Sequence, residues 1–181
     1  PPEGLKRGFA GLMNAYNGQR VGAGTVAMGI AAGAYELALE FSTDRNQFGR
    51  PICEFQGLQW MLADMHIQIE AARLLLRKAA AGNSESSGEN RNGFPDILEA
   101  AQAKIFASEM AIKVTNDALQ IFGSSGYSRN FPLERMARDA RMFTIGGGTA
   151  QILRTVVASV LLERKLPQTR EGYSKRVKKS R

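Results

Sequence analysis

An apolar seam limits what this chain can become more than any other feature of it. Phe55, Leu58, Leu62, Met65, Ile69, Ala72 and Leu76 recur at alternating spacings of three and four residues. That is the period of one helix face. It predicts a helix from about Glu54 to Ala81, roughly 40 Å long at 1.5 Å per residue. A stripe of that length must be covered by comparably long partners, so the seam points to a helical bundle.

The rest of the chain supplies the partners. Residues 1–8 read as an extended approach. A first helix is expected from about Leu12 to Leu39, although it carries Gly18, Gly22, Gly24, Gly29 and Gly33. Each glycine costs a helix roughly 1 kcal/mol relative to alanine, so close packing or a bound ligand is needed to explain them. Ser42-Thr-Asp44 and Gly49-Arg-Pro51 mark the turn into the seam helix. Gly82 to Asp96 is polar and aperiodic and reads as a surface loop, with Pro95 opening the next helix. A third helix is expected from Asp96 to Phe122, ended by Gly123-Ser-Ser-Gly126, and a short one from Leu133 to Arg141 behind Pro132. Three glycines, 146 to 148, then interrupt the chain. Thr149 suits a helix cap, and apolar residues at 152, 153, 156, 157, 160 and 161 give a last helix over 149–164. No strand is required. The fold class is all-α: an antiparallel, up-and-down four-helix bundle over 1–168, with a basic tail at 169–181.

The glycine stretch has two readings. It is a helix–helix turn, or it is a bare helix N-terminus whose amides and dipole approach an anion or a polar ring edge.

Several functions are excluded or disfavoured. The single histidine, His66, lies off the seam with Ala63 three residues before it, so the Glu-x-x-His pairs of a di-iron bundle cannot be built. No Cys or His cluster supports zinc, no metal site is expected, and no Ser-His-carboxylate set is credible. One cysteine, Cys53, excludes an internal disulfide and suits a reducing compartment. The apolar runs are broken by Gly, Glu or Arg, so neither a membrane span nor a signal peptide is expected. The chain opens on Pro1 rather than Met, as expected of a piece of a longer protein. The net charge is +7, but residues 170–181 hold six basic residues against Glu171, and the body is nearly balanced. A solvated tail is therefore preferred to a nucleic-acid arm.

Four motifs in order carry a resemblance. They are Asp44-Arg-Asn-Gln-Phe-Gly-Arg-Pro-Ile52 with Phe55-Gln56; Leu62-Ala-Asp-Met65 with Ile69-Glu-Ala-Ala-Arg-Leu-Leu75; Ala118-Leu-Gln-Ile-Phe-Gly-Ser-Ser-Gly-Tyr127; and Glu134-Arg-Met-Ala-Arg-Asp-Ala-Arg141 leading to Ile145-Gly-Gly-Gly-Thr-Ala-Gln-Ile152. Over residues 10 to 166 this set resembles the C-terminal helical domain of the acyl-CoA dehydrogenase family. That family's full subunit also has an N-terminal helical domain and a middle β-domain.

The resemblance implies a cofactor, FAD, a CoA thioester substrate and a homotetramer built as a dimer of dimers. It implies a cytoplasmic location, or a mitochondrial one in a eukaryote. Residue by residue, it implies that Arg45 and Phe48 contact FAD across a subunit interface and that Gln56 lies near the adenosine part. Gln120 and Gly123 would meet the diphosphate from a neighbouring subunit, with Ser124 where a second glycine is common. Thr149 and Gln151 would contact FAD at the start of the last helix. Arg20, with Asn17 in place of a frequent Asp, would lie near the acyl-CoA.

The departure from the family pattern concerns the base. Its dehydrogenases take the α-proton with a carboxylate, at the position of Gly147 in most members and of Gln19 in some. Neither glycine nor an amide is a useful base. The implied function is that of an FAD-dependent, acyl-CoA dehydrogenase-like enzyme on a CoA thioester without the usual Glu. The alternative is a lyase, as in the relative that removes sulfinate from 3-sulfinopropionyl-CoA, where Gln19 would hydrogen-bond a polar acyl terminus. A non-catalytic or DNA-associated member is a further class.

Overall fold

A computed structural model describes residues 2–81 and 93–164. The loop expected at 82–96 and the basic tail therefore fall largely or wholly outside the described residues. The chain is all-α: α1 (Pro2–Asp44), α2 (Gln56–Ala81), α3 (Ile97–Phe122), a one-turn α4 (Ser124–Tyr127), α5 (Leu133–Met142) and α6 (Ala150–Leu161). The bundle is up-and-down, and α3 is its centre, packed against α1, α2, α5 and α6.

The seam is as its period dictates for most of its length. Leu62, Met65, Ile69, Ala72 and Leu76 are buried, and His66 lies exposed at the rim with its ring 5.7 Å from that of Tyr35. Phe55 and Leu58 are only half-buried, because the helix starts at Gln56 and Phe55 sits in the connection before it. There Arg50 stacks its guanidinium 4.1 Å above the Phe55 ring.

Four expectations about boundaries are corrected. Residues 2–8 are helical, since a proline in the first helical turn gives up an amide that would have no partner anyway. Pro95 precedes the third helix instead of opening it. Asp96 is the cap, its carboxylate accepting the Leu98 and Glu99 amides at 2.8 and 3.1 Å. The last helix is shorter, Ala150–Leu161. It is closed by Glu163 at φ 49° and by the Arg164 amide donating to the Ser159 carbonyl at 3.1 Å, a Schellman-like stop. Finally, a two-residue antiparallel ribbon, β1 (Asn46–Gln47) with β2 (Arg50–Pro51), forms between α1 and α2. Phe48 at φ 53° and Gly49 at φ 81° make the tight reversal.

The α1 stretch Asn14–Asp44 is long and apolar enough to cross a membrane by length and composition. Its Ala27, Ala31, Ala34 and Ala38 are fully buried in the bundle core, while Tyr16, Val26 and Leu39 are exposed. Small residues let α1 and α3 approach closely. Gly24 leaves room for Leu76 and for the α3 backbone at Lys104. At the far end, the rings of Phe41 and Phe122 stack at 4.1 Å, which brings the C-terminal ends of α1 and α3 together.

Candidate functional site

The residues singled out in the sequence fall into two groups. The first lies at the end of the bundle marked by the Phe41–Phe122 stack. Arg45, Phe48 and Gln56 are exposed around the ribbon, and Phe48 is 92% exposed. Gln120 is exposed on the last turn of α3, and Gly123 caps that helix at φ 59°, its amide donating to the Leu119 and Gln120 carbonyls at 3.1 Å. These residues form an exposed rim. An aromatic held outward on a tight turn, beside arginine and amides, suits the edge of an aromatic, anionic ligand completed by another surface.

The second group forms about the glycine turn. Thr149 caps α6 as expected, its hydroxyl accepting the Ile152 amide at 3.2 Å. Gly147 and Gly148 have φ of 70° and 97°, a left-handed backbone that glycine adopts without strain. Gln151 is exposed beside them. On α1, Asn17 and Arg20 are buried, with the Arg20 guanidinium donating to Asn17 Oδ1 at 2.8 Å, while Gln19 is exposed.

Lys104 of α3 joins these two parts. It is fully buried and donates from Nζ to the Gly148 carbonyl at 2.7 Å. Burial first, and the nearby Arg20 charge second, hold its ammonium below the usual lysine pKa. Arg20, likewise buried, has its pKa lowered by desolvation. Both positions at which a base was sought, Gln19 and Gly147, thus adjoin members of one cluster.

This group sits beside residues 104–109 of α3, and Gln120 is eleven or more residues further on. At 1.5 Å per residue the two groups are separated by roughly 17–24 Å along α3. The flavin contacts implied by the resemblance therefore do not converge on one pocket among the described residues. They fit two edges of a large ligand, or of two ligands, shared with other surfaces.

Three features at the glycine turn have no signal in the sequence, because their partners are distant or generic. One is the bond from Lys104 to Gly148, across 44 positions. Another is the two-pronged pair of Arg154 with Glu109, at 2.6 and 2.7 Å. The third is the Arg141 guanidinium donating to the Thr144 hydroxyl at 2.8 Å. Glu109, Arg141, Thr144, Thr149 and Gln151 line a cavity of about 260 Å³. Glu109 is the carboxylate there, but its hydrogen bonds to Arg154 hold it below the usual glutamate pKa. A carboxylate stabilised in its charged form is a weaker proton acceptor than a free one. No group of metal ligands occurs among the described residues.

Residues 6–162 match the acyl-CoA dehydrogenase C-terminal domain. The chain is 69% identical over 173 residues to the 3-sulfinopropanoyl-CoA desulfinase of Cupriavidus necator, covering 96% of this chain and 42% of that protein. It is 41% identical to the short-chain specific acyl-CoA dehydrogenase of Clostridium acetobutylicum over 84% of this chain and 38% of that protein. The structure of butyryl-CoA dehydrogenase from Megasphaera elsdenii superposes with a TM-score of 0.78 at 42% identity, over 86% of this chain and 39% of that one. The chain thus spans about two fifths of the length of these relatives. With an all-α bundle, a rim of outward-facing polar and aromatic residues and a glycine turn clamped from α3, the chain belongs to the acyl-CoA dehydrogenase family, of which it represents the C-terminal helical domain.

Proposed function

We propose that this domain serves a flavoprotein that desulfinates 3-sulfinopropanoyl-CoA and does not dehydrogenate saturated acyl-CoAs. The observation that carries the reading is the pair Gly147 and Gln19, which puts no titratable group at either position where the family's base stands. Support comes from identities of 66–69% to four desulfinases, against 41–44% to dehydrogenases and a reductase of the same family.

The net reaction cleaves the bond from C3 to sulfur. Water supplies a proton to that carbon and an oxygen to the departing sulfur group, giving propanoyl-CoA and hydrogensulfite. No hydride or α-proton has to leave, so a carboxylate base is dispensable. In this reading Gln19 donates a hydrogen bond from its amide to the acidic acyl terminus, while Arg20 keeps the surroundings positive for an anion. Asn17 holds Arg20 in place through their 2.8 Å bond. FAD, when bound, would supply an electron-accepting ring. Arg45, Phe48, Gln56, Gln120 and Gly123 would hold one part of it, and Thr149 and Gln151 the edge at the glycine turn. Phe48, 92% exposed on its turn, is free to meet a second subunit, and the tetramer built as a dimer of dimers is carried over from the resemblance.

The test is sulfite release. The flavin-loaded, full-length protein should liberate one sulfite per propanoyl-CoA formed from 3-sulfinopropanoyl-CoA. Absence of sulfite, with enoyl-CoA formed from butyryl-CoA instead, would refute the reading.

A further inference from the structure

Lys104 is a costly residue where it stands. Its side chain is fully buried, beside a second buried cation, Arg20, and among the described residues neither takes part in an ion pair with a carboxylate. Arg20 Nε has no hydrogen-bond partner, and burial first, with the Arg20 charge second, lowers the Lys104 pKa. An apolar side chain of the same length would fill the space without this penalty, since buried charges are commonly neutral or unfavourable for stability against hydrophobic replacements. What the ammonium does uniquely is hold one carbonyl, that of Gly148 at 2.7 Å. That carbonyl belongs to the run of three glycines, where no side chain anchors the backbone. Gly24, one helical turn after Arg20, is the device that brings α1 and Arg20 onto α3 here: a Cβ at that position would lie 3.5 Å from Lys104 Cα and only 2.8 Å from Leu76.

We propose that Lys104 is a positioning residue that clamps the glycine turn to α3 and so fixes the start of α6, with Thr149 and Gln151, in a single geometry for the reaction. The second half of this rests on the proposed function, in which the turn holds the flavin edge and borders the acyl-CoA.

The experiment is Lys104→Met in the full-length, flavin-loaded protein, read by amide exchange and steady-state kinetics together. Exchange over residues 145–152 should quicken roughly ten- to a hundredfold, the scale of one hydrogen bond from a charged donor, while the buried seam of α2 keeps its protection. Turnover should fall through kcat, with KM for the CoA thioester little altered, as expected for misplacement rather than lost binding. Unchanged exchange over 145–152 would overturn the proposal, whatever happens to activity. Faster exchange with unaltered turnover would uphold the clamp and count only against the turn as part of the substrate site. If Lys104→Met does not fold, Lys104→Gln, polar but too short for the carbonyl, gives the same readouts. Failure of both to fold would make Lys104 a determinant of the fold and overturn the positioning role.

Discussion

The glycines of α1 allow a prediction of opposite signs within one helix. An alanine Cβ at position 24 would stand 2.8 Å from Leu76 Cδ2, 3.5 Å from Lys104 Cα and 3.6 Å from Ala107 Cβ, whereas at Gly22 and Gly29 it would meet nothing within 4 Å. Replacing a helical glycine by alanine gains up to about 1 kcal/mol from backbone entropy. Gly22→Ala and Gly29→Ala should therefore stabilise the chain by up to that amount. At Gly24 the same gain is opposed by overpacking of roughly 1–3 kcal/mol, because Leu76 is buried and can withdraw only into the core. The net expectation for Gly24→Ala runs from near zero to a loss of about 2 kcal/mol. Shortening the obstructing side chain tests the cause: Gly24→Ala should cost less in a Leu76→Val background, a coupling that a double-mutant cycle isolates. Urea unfolding of the chain, compared at a common slope, provides the numbers. If Gly24→Ala stabilises as much as Gly29→Ala, α1 does not pack on α3 at Lys104 as described.

Leu62→Ala, in the middle of the buried seam, should cost about 2–5 kcal/mol in a denaturant melt, and Phe55→Ala clearly less, because Phe55 is half-buried in the connection before α2. Glu109→Gln removes the pair with Arg154, whose side chains are 44% and 52% exposed, so the loss near neutral pH should stay within about 1 kcal/mol. Since the folded Glu109 pKa lies below its unfolded value, the pair's contribution is complete above the unfolded glutamate pKa and is lost as pH falls through the folded one. The melts of Glu109→Gln and the unmodified chain should accordingly converge in acid. Gly147→Glu should not create an efficient dehydrogenase, because φ of 70° there strains any side chain by roughly 1–2 kcal/mol and moves the new carboxylate with the turn; flavin reduction by butyryl-CoA checks it.

What the sequence made legible was periodic or local. The seam of α2 could be read because Leu62 to Leu76 keep one face along a straight helix. The caps Thr149 and Gly123 and the turns at 49 and 146–148 could be read because turn chemistry is decided within a few residues. The half-burial of Phe55 was not legible, since the 3.5 period continues one residue past the point where the helix begins. The ribbon at 46–51 was missed because two residues a side leave no alternating pattern. The site was divided in the same way. Arg20, Asn17, Gln19 and Gly147 could be picked out along the chain, but the residue that joins them, Lys104, lies in an alanine-rich helix where a lysine ordinarily signals a solvated face. Its burial follows only from how closely α1 packs on α3, and that depends on Gly24, eighty positions earlier. Glu109 with Arg154 is of the same kind: an ordinary charged residue in each helix, paired only by the packing of α6 on α3.

On the desulfinase reading, no group at the glycine turn or on α1 takes the α-proton of a saturated acyl-CoA. The most direct test of this claim is rapid-mixing absorbance of the flavin in the full-length protein. A panel of straight, branched and acid-terminated saturated acyl-CoAs would be compared with a general-base dehydrogenase of the same family. Base catalysis typically contributes 10²–10⁴-fold, so flavin bleaching is expected to be slower than in the dehydrogenase by at least about the lower end of that range. Bleaching by butyryl-CoA at the dehydrogenase's own rate would contradict the claim and place a working base elsewhere in the protein.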